Sequence, residues 1–302
     1  MTRQRKREGF RSAIRWVCLM LSLLITASAA EGIPASFVDD VEADSLGKII
    51  RSYDTQTLKY TVESFIMHGE RCYLTRVWVQ DPGRQIRKVT AEWKKNLQLP
   101  RVLAQRIPEA ALVINGSGYV SPRYPEIPED YPGESKDYYY TPLGSLTVTD
   151  GEVYRELEGI PYYGLILNDE GLQMYTGADN DEVLAARPSQ TWSFYTACPM
   201  LRDNEDLLPE DWVFADRRAA RTIIGRLDRN NYLILSVDDE RKGGISLHRA
   251  VVFFQENFQT EWVYDLDGGP SSALLCRNPD GKKMHAVMGG GAKDADIMAF
   301  IE

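Results

Sequence analysis

A short polar stretch between two apolar segments holds residue types that could do chemistry. Residues 263–275 read VYDLDGGPSSALL, so Asp265, Asp267, two glycines, a proline and two serines separate segments typical of buried strands. A carboxylate beside small residues suits a pocket floor, because the acid can stabilise or attack an electron-poor carbon while glycines admit a ligand. The alternative is a tight turn whose aspartates only accept hydrogen bonds from backbone amides.

Three further motifs stand at the ends of predicted strands. Each has an ordinary explanation alone, since Asn-Gly forms turns and an aspartate at a strand end can cap a loop. Together, and in this order, they are more specific than any one of them. The motifs are Asn115-Gly116-Ser117-Gly118-Tyr119, Arg221-Thr222-x-x-Gly225 and Val237-Asp238-Asp239-Glu240-Arg241.

Common catalytic and metal-binding templates are not matched. An EF-hand beginning at Asp265 needs glycine at its sixth position and glutamate at its twelfth, where the chain has Pro270 and Cys276. The sequence has no nucleophile elbow, P-loop or H-E-x-x-H motif. We therefore predict no cofactor and leave a metal requirement open.

Taken together, the four motifs resemble those of the phosphodiester glycosidase family. That family carries Asn-Gly-Gly with an aromatic residue, Arg-Thr-x-x-Gly, Asp-Gly-Arg and Leu-Asp-Gly-Gly-Gly-Ser-Ser. The resemblance covers roughly Tyr73 to Ile301 and is strongest from Arg221 to Leu274. It implies an α+β fold and a hydrolase that cleaves a sugar-1-phosphodiester at the anomeric carbon.

The resemblance also implies roles for individual residues. Asp267 is the expected catalytic carboxylate, Asp238 is the other acid, and Arg221 is expected to grip the phosphate, because guanidinium pairs bidentately with phosphate oxygens. Backbone amides near the glycines are expected to approach the ligand, and Tyr119 and the tyrosines of residues 121–142 to stack on a sugar. The expected substrate-binding residues are Asn115, Gly116, Tyr119, Thr222, Arg241, Gly268, Gly269, Ser271 and Ser272.

The chain departs from the family pattern at four places. Ser117 replaces a glycine, Asp239-Glu240 interrupts Asp-Gly-Arg, and Asp294-Ala295 stands where many relatives have an arginine. Pro270 replaces the third glycine of the last motif and removes a backbone N–H. Two alternatives stay open: a non-catalytic carbohydrate- or cell-wall-binding envelope protein, and an ordinary exported glycosidase that uses two carboxylates on a substrate without phosphate.

The N-terminus has the pattern of a secretory signal peptide. Six basic residues precede the apolar run Trp16–Ile25, and small residues follow it. We expect cleavage after Ala29; the alternative is an uncleaved anchor, although the run is shorter than the ~20 residues of a spanning helix. The sequence thus predicts a secreted or envelope protein with a signal peptide (1–29), a lead-in segment (30–70) and one domain (71–302).

The charge balance restricts the partners. The whole chain has a net charge of −9, and residues 30–302 retain 29 basic and 43 acidic residues. So acidic a protein is a poor partner for nucleic acid or an anionic membrane. We expect a sugar-phosphate or glycan substrate, held by local basic residues, and membrane contact only through an uncleaved N-terminus.

Three cysteines remain after the predicted cleavage: Cys72, Cys198 and Cys276. One pair could form a disulfide, or all three could be buried thiols.

Hydrophobic periodicity predicts a single α+β domain, a strand-rich mixed sheet with few helices. Ser246 is placed to cap a helix over residues 246–258, and residues 101–107 and 45–53 are further predicted helices. The irregular residues 121–142 suggest a functional lid or insertion. The predicted strands cover residues 72–80, 111–114, 145–149, 152–155, 164–167, 172–175, 192–200, 221–227, 232–237, 261–265, 273–276 and 296–301.

Overall fold

The computed structural model describes residues 45–194, 198–239, 243–278, 281 and 283–302. The predicted signal peptide and Arg241 lie outside the described residues. The described strands are β1 (Lys48–Asp54), β2 (Leu58–Met67), β3 (Glu70–Val79), β4 (Ile86–Thr90), β5 (Ala110–Asn115), β6 (Leu146–Thr149), β7 (Glu152–Glu156), β8 (Tyr162–Asn168), β9 (Gly171–Ala178), β10 (Gln190–Ser193), β11 (Pro199–Arg202), β12 (Glu205–Asp206), β13 (Arg221–Arg226), β14 (Asn231–Val237), β15 (Trp262–Asp265), β16 (Ala273–Arg277), β17 (Met284–Gly289) and β18 (Asp296–Ile301). The α-helices are α1 (Pro82–Gln85), α2 (Pro100–Ala104), α3 (Asn180–Ala185), α4 (Val213–Asp216) and α5 (Leu247–Asn257), and short 3₁₀ helices cover Ser135–Tyr138 and Gly269–Ser271.

The strands form three sheets. Sheet A has the order β1-β2-β3-β14-β13-β15-β11-β12, sheet B has β17-β16-β5-β18-β4, and sheet C has β7-β6-β10-β8-β9. Neighbouring strands within the three sheets run antiparallel. The strand-rich α+β class with few helices is confirmed, with the strands divided among three antiparallel sheets instead of one mixed sheet.

One apolar core lies where the three sheets face each other. Tyr60 and Ile234 enter it from sheet A, Ile114 and Phe300 from sheet B, and Trp192 from sheet C, and all five are buried. Helices cover the outer faces: α5 packs on sheet A, α2 on sheet B and α3 on sheet C. Each sheet is therefore covered on two faces, which explains strands that read as continuous apolar runs.

Helix α5 forms where the sequence predicts it. The Ser246 side chain accepts a hydrogen bond from the Arg249 amide, a cap that contributes roughly 1 kcal/mol. Leu247, Val251 and Phe254 are buried on the face that meets sheet A. The helical spacing of these residues therefore identified the buried face as well as the element.

Two predicted elements are wrong. Residues 45–53 are not a helix, because β1 pairs with β2 and the Tyr53 ring stacks on Tyr60, with ring centroids 5.2 Å apart. Strands β1 and β2 lie entirely within the predicted lead-in segment, yet they belong to sheet A. The single strand predicted for residues 192–200 is two strands in different sheets, because β10 ends at Ser193 and β11 begins at Pro199. Both are buried, so one apolar run concealed the break.

Residues 121–142 pack around a small core of their own. Tyr131 and Tyr138 are buried there with Val120 and Leu143. The Arg155 guanidinium lies 4.8 Å from the Tyr138 ring centroid and donates to the Pro142 carbonyl. The buried tyrosines of this segment therefore serve packing.

The three cysteines of the described chain are buried, and none of them forms a disulfide. Cys198 and Cys276 lie in the core between the sheets, and Cys72 lies under α5. Of the two options that the sequence left open, the structure has buried thiols.

Candidate active site

The candidate site lies where the ends of strands from sheets A and B meet. In sheet A, β15 ends beside the start of β13, with Ile223 opposite Asp265. In sheet B, β5 ends beside the starts of β16 and β18, with Asn115 opposite Ile297. Residues 266–272, here called the crossing segment, run from sheet A to sheet B between these ends. The motifs that begin at Asn115 and Arg221 and the stretch from Val263 to Leu275 are thus brought to one place.

Asn115 fastens both ends of the crossing segment. Its side-chain amide donates to the Asp267 carbonyl at 2.6 Å, and its side-chain oxygen accepts from the Ala273 amide at 2.9 Å. The neighbouring Gly116 carbonyl accepts from the Asp267 amide at 3.1 Å. The side chain predicted to bind substrate is instead bonded to the protein backbone and positions Asp267.

A buried ion pair supports the sheet B side. The Lys88 ammonium lies 3.0 Å from an Asp296 carboxylate oxygen and also donates to the Thr191 carbonyl. Ser117 donates to Asp296 through its amide at 2.7 Å and its hydroxyl at 2.9 Å. A Cβ on Gly116 would lie 1.8 Å from the Asp296 carboxylate, so glycine is required there. Burial lowers the pKa of Lys88, and Asp296 partly offsets that effect.

A second buried ion pair supports the sheet A side. Arg221 is only 1% exposed, and its guanidinium lies 3.2 Å from Asp265. It also donates to the Arg217 and Ile245 carbonyls and lies over the Phe214 ring. Burial raises the pKa of Asp265 to about 7, although Arg221 opposes that shift. The arginine predicted to grip phosphate is thus surrounded by protein partners.

Asp267 sits at the start of the crossing segment and stays partly exposed. The Gly268 amide donates to its carboxylate at 2.9 Å. Burial raises the pKa of Asp267 to about 7, against the lowering effect of the Ser271 hydroxyl and the Gly268 amide. A carboxyl group with this pKa can take up a proton near neutral pH.

Asp294 is a site residue that sequence reasoning missed. It is 1% exposed, and neither of its carboxylate oxygens has a hydrogen-bond donor. Burial and the charge of Asp267 raise its pKa well above the ordinary value, while Ser271 opposes the shift. The sequence did carry a signal, because Asp294 and Asp296 stand two residues apart at the start of an otherwise apolar strand.

The predicted hydroxyl residues have different surroundings. The Ser271 hydroxyl donates to the Tyr119 hydroxyl at 3.4 Å, and burial raises the pKa of Tyr119 to about 12. The Ser272 and Thr222 hydroxyls are buried without a hydrogen-bond partner. Because side chains alternate along a strand, Thr222 points to the face of β13 opposite Arg221.

The two glycines of the crossing segment differ in how much free space lies beside them. The Gly268 amide bonds to Asp267, and the Gly269 amide donates to the Ala220 carbonyl at 2.8 Å, so both amides have protein acceptors. A Cβ on Gly268 would lie 3.0 Å from the Ala220 oxygen, whereas nothing lies within 4 Å of one on Gly269. Gly269 has φ +58°, which favours glycine. Gly269 therefore borders open space, with Pro270 exposed beside it.

Asp238 follows β14 at the same edge of sheet A. Strand β13 lies between β14 and β15, so Asp238 is about two strand spacings, roughly 10 Å, from the end of β15. The two acids that the sequence paired as catalytic thus follow strands that are not adjacent in sheet A. Within the described residues, no group of three or more His, Cys, Asp or Glu side chains is arranged to hold a metal ion.

A family model describes this combination of strands and motifs. The model of the phosphodiester glycosidases matches residues 108–296, which include the crossing segment, Asn115, Arg221 and Asp294. The chain belongs to the phosphodiester glycosidase family. The resemblance seen in the motifs is confirmed, and membership supports a glycosidase-type function.

Solved structures share the fold. The catalytic domain of zebrafish N-acetylglucosamine-1-phosphodiester alpha-N-acetylglucosaminidase, auto-inhibited by its pro-peptide, is 15% identical with a TM-score of 0.62, over 84% of this chain and 87% of that one. A hypothetical protein from Synechocystis is 11% identical with a TM-score of 0.58, over 83% of this chain and 64% of that one. No curated protein sequence matches the chain. At these identities the structural likeness supports the fold alone.

Proposed function

We propose that this phosphodiester glycosidase hydrolyses the glycosidic bond of a sugar-1-phosphodiester in an extracellular or envelope glycan, with Asp267 as the acid at the anomeric carbon. One observation carries the assignment of Asp267. Asp265, Asp294 and Asp296 are buried, whereas Asp267 stays partly exposed beside the open space at Gly269. Asp267 is therefore the carboxyl group of this cluster that a substrate can reach.

The chemistry fits such an acid. The bond between the anomeric carbon and the phosphate oxygen breaks, and its electron pair leaves with the phosphate. A water oxygen bonds to the anomeric carbon, and the proton that this water loses passes to the phosphate monoester or to solvent. The transition state resembles an oxocarbenium ion, which a nearby carboxylate stabilises or attacks. A phosphate ester is already a good leaving group, so the reaction depends on positioning and charge more than on a strong general acid.

The phosphate needs a cation that is not already paired. Lys88 and Arg221 are buried against Asp296 and Asp265, so their positive charges are offset locally. We assign Arg221 a positioning role, since it pairs with Asp265 at the point where the crossing segment begins. Phosphate binding falls to Arg241, as the sequence suggests, and to Lys293, which is exposed and immediately precedes Asp294.

Export is part of the proposal. It rests on the basic, apolar and small-residue pattern of residues 1–29. In the described part of the chain, no helix is long and apolar enough to cross a membrane.

The experiment compares two substrates of one sugar: a sugar-1-phosphodiester and the corresponding aryl glycoside, which lacks phosphate. We expect sugar release from the diester, and a KM that rises about tenfold or more in Arg241→Ala or Lys293→Ala for the diester alone, because each loses a charge-assisted contact. Equal hydrolysis of the aryl glycoside would indicate an ordinary glycosidase. Binding of a sugar phosphate without release, across a panel of sugars, would indicate a binding protein.

A further inference from the structure

Asp294 is a buried carboxyl group that has neither a paired cation nor a hydrogen-bond donor among the described residues. Two buried carboxylates nearby have a cation, because Asp296 meets Lys88 and Asp265 meets Arg221. Neither carboxylate oxygen of Asp294 has a donor. An ionised carboxylate without a partner is strongly disfavoured in a buried site, so such a group remains neutral instead.

The Ser271 hydroxyl has more acceptors around it than it has hydrogens. Ser271 lies close enough to both Asp267 and Asp294 to lower the pKa of each, and its hydroxyl also lies 3.4 Å from the Tyr119 hydroxyl. Three acceptor groups thus compete for one hydrogen. A neutral Asp294 supplies the missing hydrogen, because a protonated carboxyl group is a donor.

We propose that Asp294 is a neutral carboxylic acid that positions Asp267, directing its own proton into the pocket toward the oxygens of Ser271 and Asp267 while Asp267 carries the charge. The part of this proposal that concerns turnover rests on the proposed function. Asp294 acts through Asp267 and Ser271 and is a positioning residue. One proton between two carboxyl groups keeps their combined charge at one unit where an anionic substrate must enter.

The surroundings favour this order of ionisation. Asp267 is partly exposed and has the Gly268 amide as a donor, whereas Asp294 has neither advantage. Once Asp267 is ionised, its charge raises the pKa of Asp294, as does that of Asp296, and so keeps Asp294 neutral. The titratable and charged groups that interact with Asp294 are Asp267 on the crossing segment, Asp296, which pairs with Lys88 in sheet B, and Tyr119 after β5. The exposed Lys293 immediately precedes it in the chain.

The first measurement needs no substrate. Carbon-13 NMR of the aspartate carboxyl groups in the full chain should contain one resonance that titrates at a higher pH than those of Asp265 and Asp267, and Asp294→Asn should remove it. The matched control is Asp54→Asn, since Asp54 also has a buried oxygen without a partner but lies at the end of β1. If no aspartate resonance titrates at a higher pH than those of Asp265 and Asp267, Asp294 is not held neutral and the proposal is wrong. The titration of the wild-type protein decides this even if the variant fails to fold.

The second measurement is the pH dependence of kcat on a sugar-1-phosphodiester. We expect a fall at high pH in the wild type, as Asp294 ionises. Asn donates a hydrogen at every pH, so Asp294→Asn should keep kcat within about threefold at the optimum and lose the high-pH fall. Asp294→Ala, which donates nothing, should lose about tenfold or more at all pH values. An unchanged profile in Asp294→Asn would show a merely structural role.

The two proposals fail separately. A high-titrating resonance without hydrolysis of any diester would contradict the proposed function but leave Asp294 a neutral acid. Hydrolysis without that resonance would contradict the assignment of Asp294 alone. Calcium or magnesium, added alone, should leave the resonance in place; if either ion abolishes it and raises the melting temperature, Asp294 is a cation ligand and the proposal is wrong.

Discussion

The two ends of the β13–β14 strand pair use the same residue types in opposite ways. In the connecting turn, one Asp228 oxygen accepts from the Asn230 amide at 2.8 Å and the Asn231 amide at 2.9 Å. At the other end, Asp265 has one buried oxygen without a donor, and nearby Asp294 has two. In the turn, the aspartate oxygen accepts hydrogen bonds from backbone amides. At the site, aspartate oxygens are buried without a hydrogen-bond donor. Burial together with unused hydrogen-bond capacity, more than residue type, distinguishes a site from a turn.

The strongest test of this contrast is Asp267→Asn. We expect kcat to fall by about a thousandfold, because an amide can neither accept a proton nor stabilise positive charge at the anomeric carbon. Sugar release from a diester measures the loss, and circular dichroism checks that the fold is kept. Retained turnover would remove Asp267 from the chemistry.

Arg221→Ala should affect stability most. It leaves Asp265 buried without its cation, which costs about 3–5 kcal/mol of unfolding free energy. Urea unfolding measures the change. The control is Arg84→Ala, which breaks an exposed pair with Asp81 and should change the midpoint little. A small loss in Arg221→Ala would mean that the guanidinium is free for a ligand.

Asp228→Ala should damage the turn and spare the site. The exposed amides of Asn230 and Asn231 can bond to water instead, so we expect a loss of about 1 kcal/mol in unfolding free energy. Diester hydrolysis measured on the same sample should be unchanged. A large fall in kcat would show that the two ends of the strand pair are coupled.

The stability of the protein should also depend on pH through Asp267. Its pKa in the folded state is about 7, above the ordinary value of 3.8, so the native state binds more protons than the unfolded state between these values. This group therefore stabilises the fold at low pH, and the contribution disappears as pH rises to about 7. Asp267→Asn should gain stability relative to the wild type over that range. Urea midpoints that differ by the same amount at every pH would contradict the raised pKa.

Pro270→Gly should have the smallest effect. It restores the backbone N–H that the family pattern has at this exposed position and loosens the unfolded chain, at a cost of about 0.4–1 kcal/mol in stability. We expect KM for a diester to fall a few-fold if the new amide meets the phosphate. An unchanged KM would place the phosphate away from residue 270.

Local signals in the sequence identified much of the molecule. The Ser246 cap, the turn at Asp228 and the segment from Val263 to Leu275 each lie within a few residues of the element they define. The resemblance to the family located Asp267 and the crossing segment for the same reason, because their motif is continuous. These features depend on residues that are close together in the sequence, so they can be identified without knowing the fold.

The supporting half of the site could not be found in that way. Lys88 comes from β4 and Asp296 from β18, more than two hundred residues apart, and only the pairing of those strands in sheet B brings them together. Arg221 reads as a phosphate ligand, but its burial and partners give it another role. Whether a charged side chain faces a ligand or a counter-ion depends on which sheets meet.

The clamp formed by Asn115 has a consequence for how the protein folds. Its two hydrogen bonds require the end of β5 to lie beside the start of β16, with Ile114 opposite Leu274. A slip of one residue in that pairing would turn the asparagine to the other face of the sheet. The crossing segment would then lose both of its attachments. The site therefore assembles only when β5 and β16 pair in the correct register. A chain that has paired these strands wrongly should have no catalytic activity.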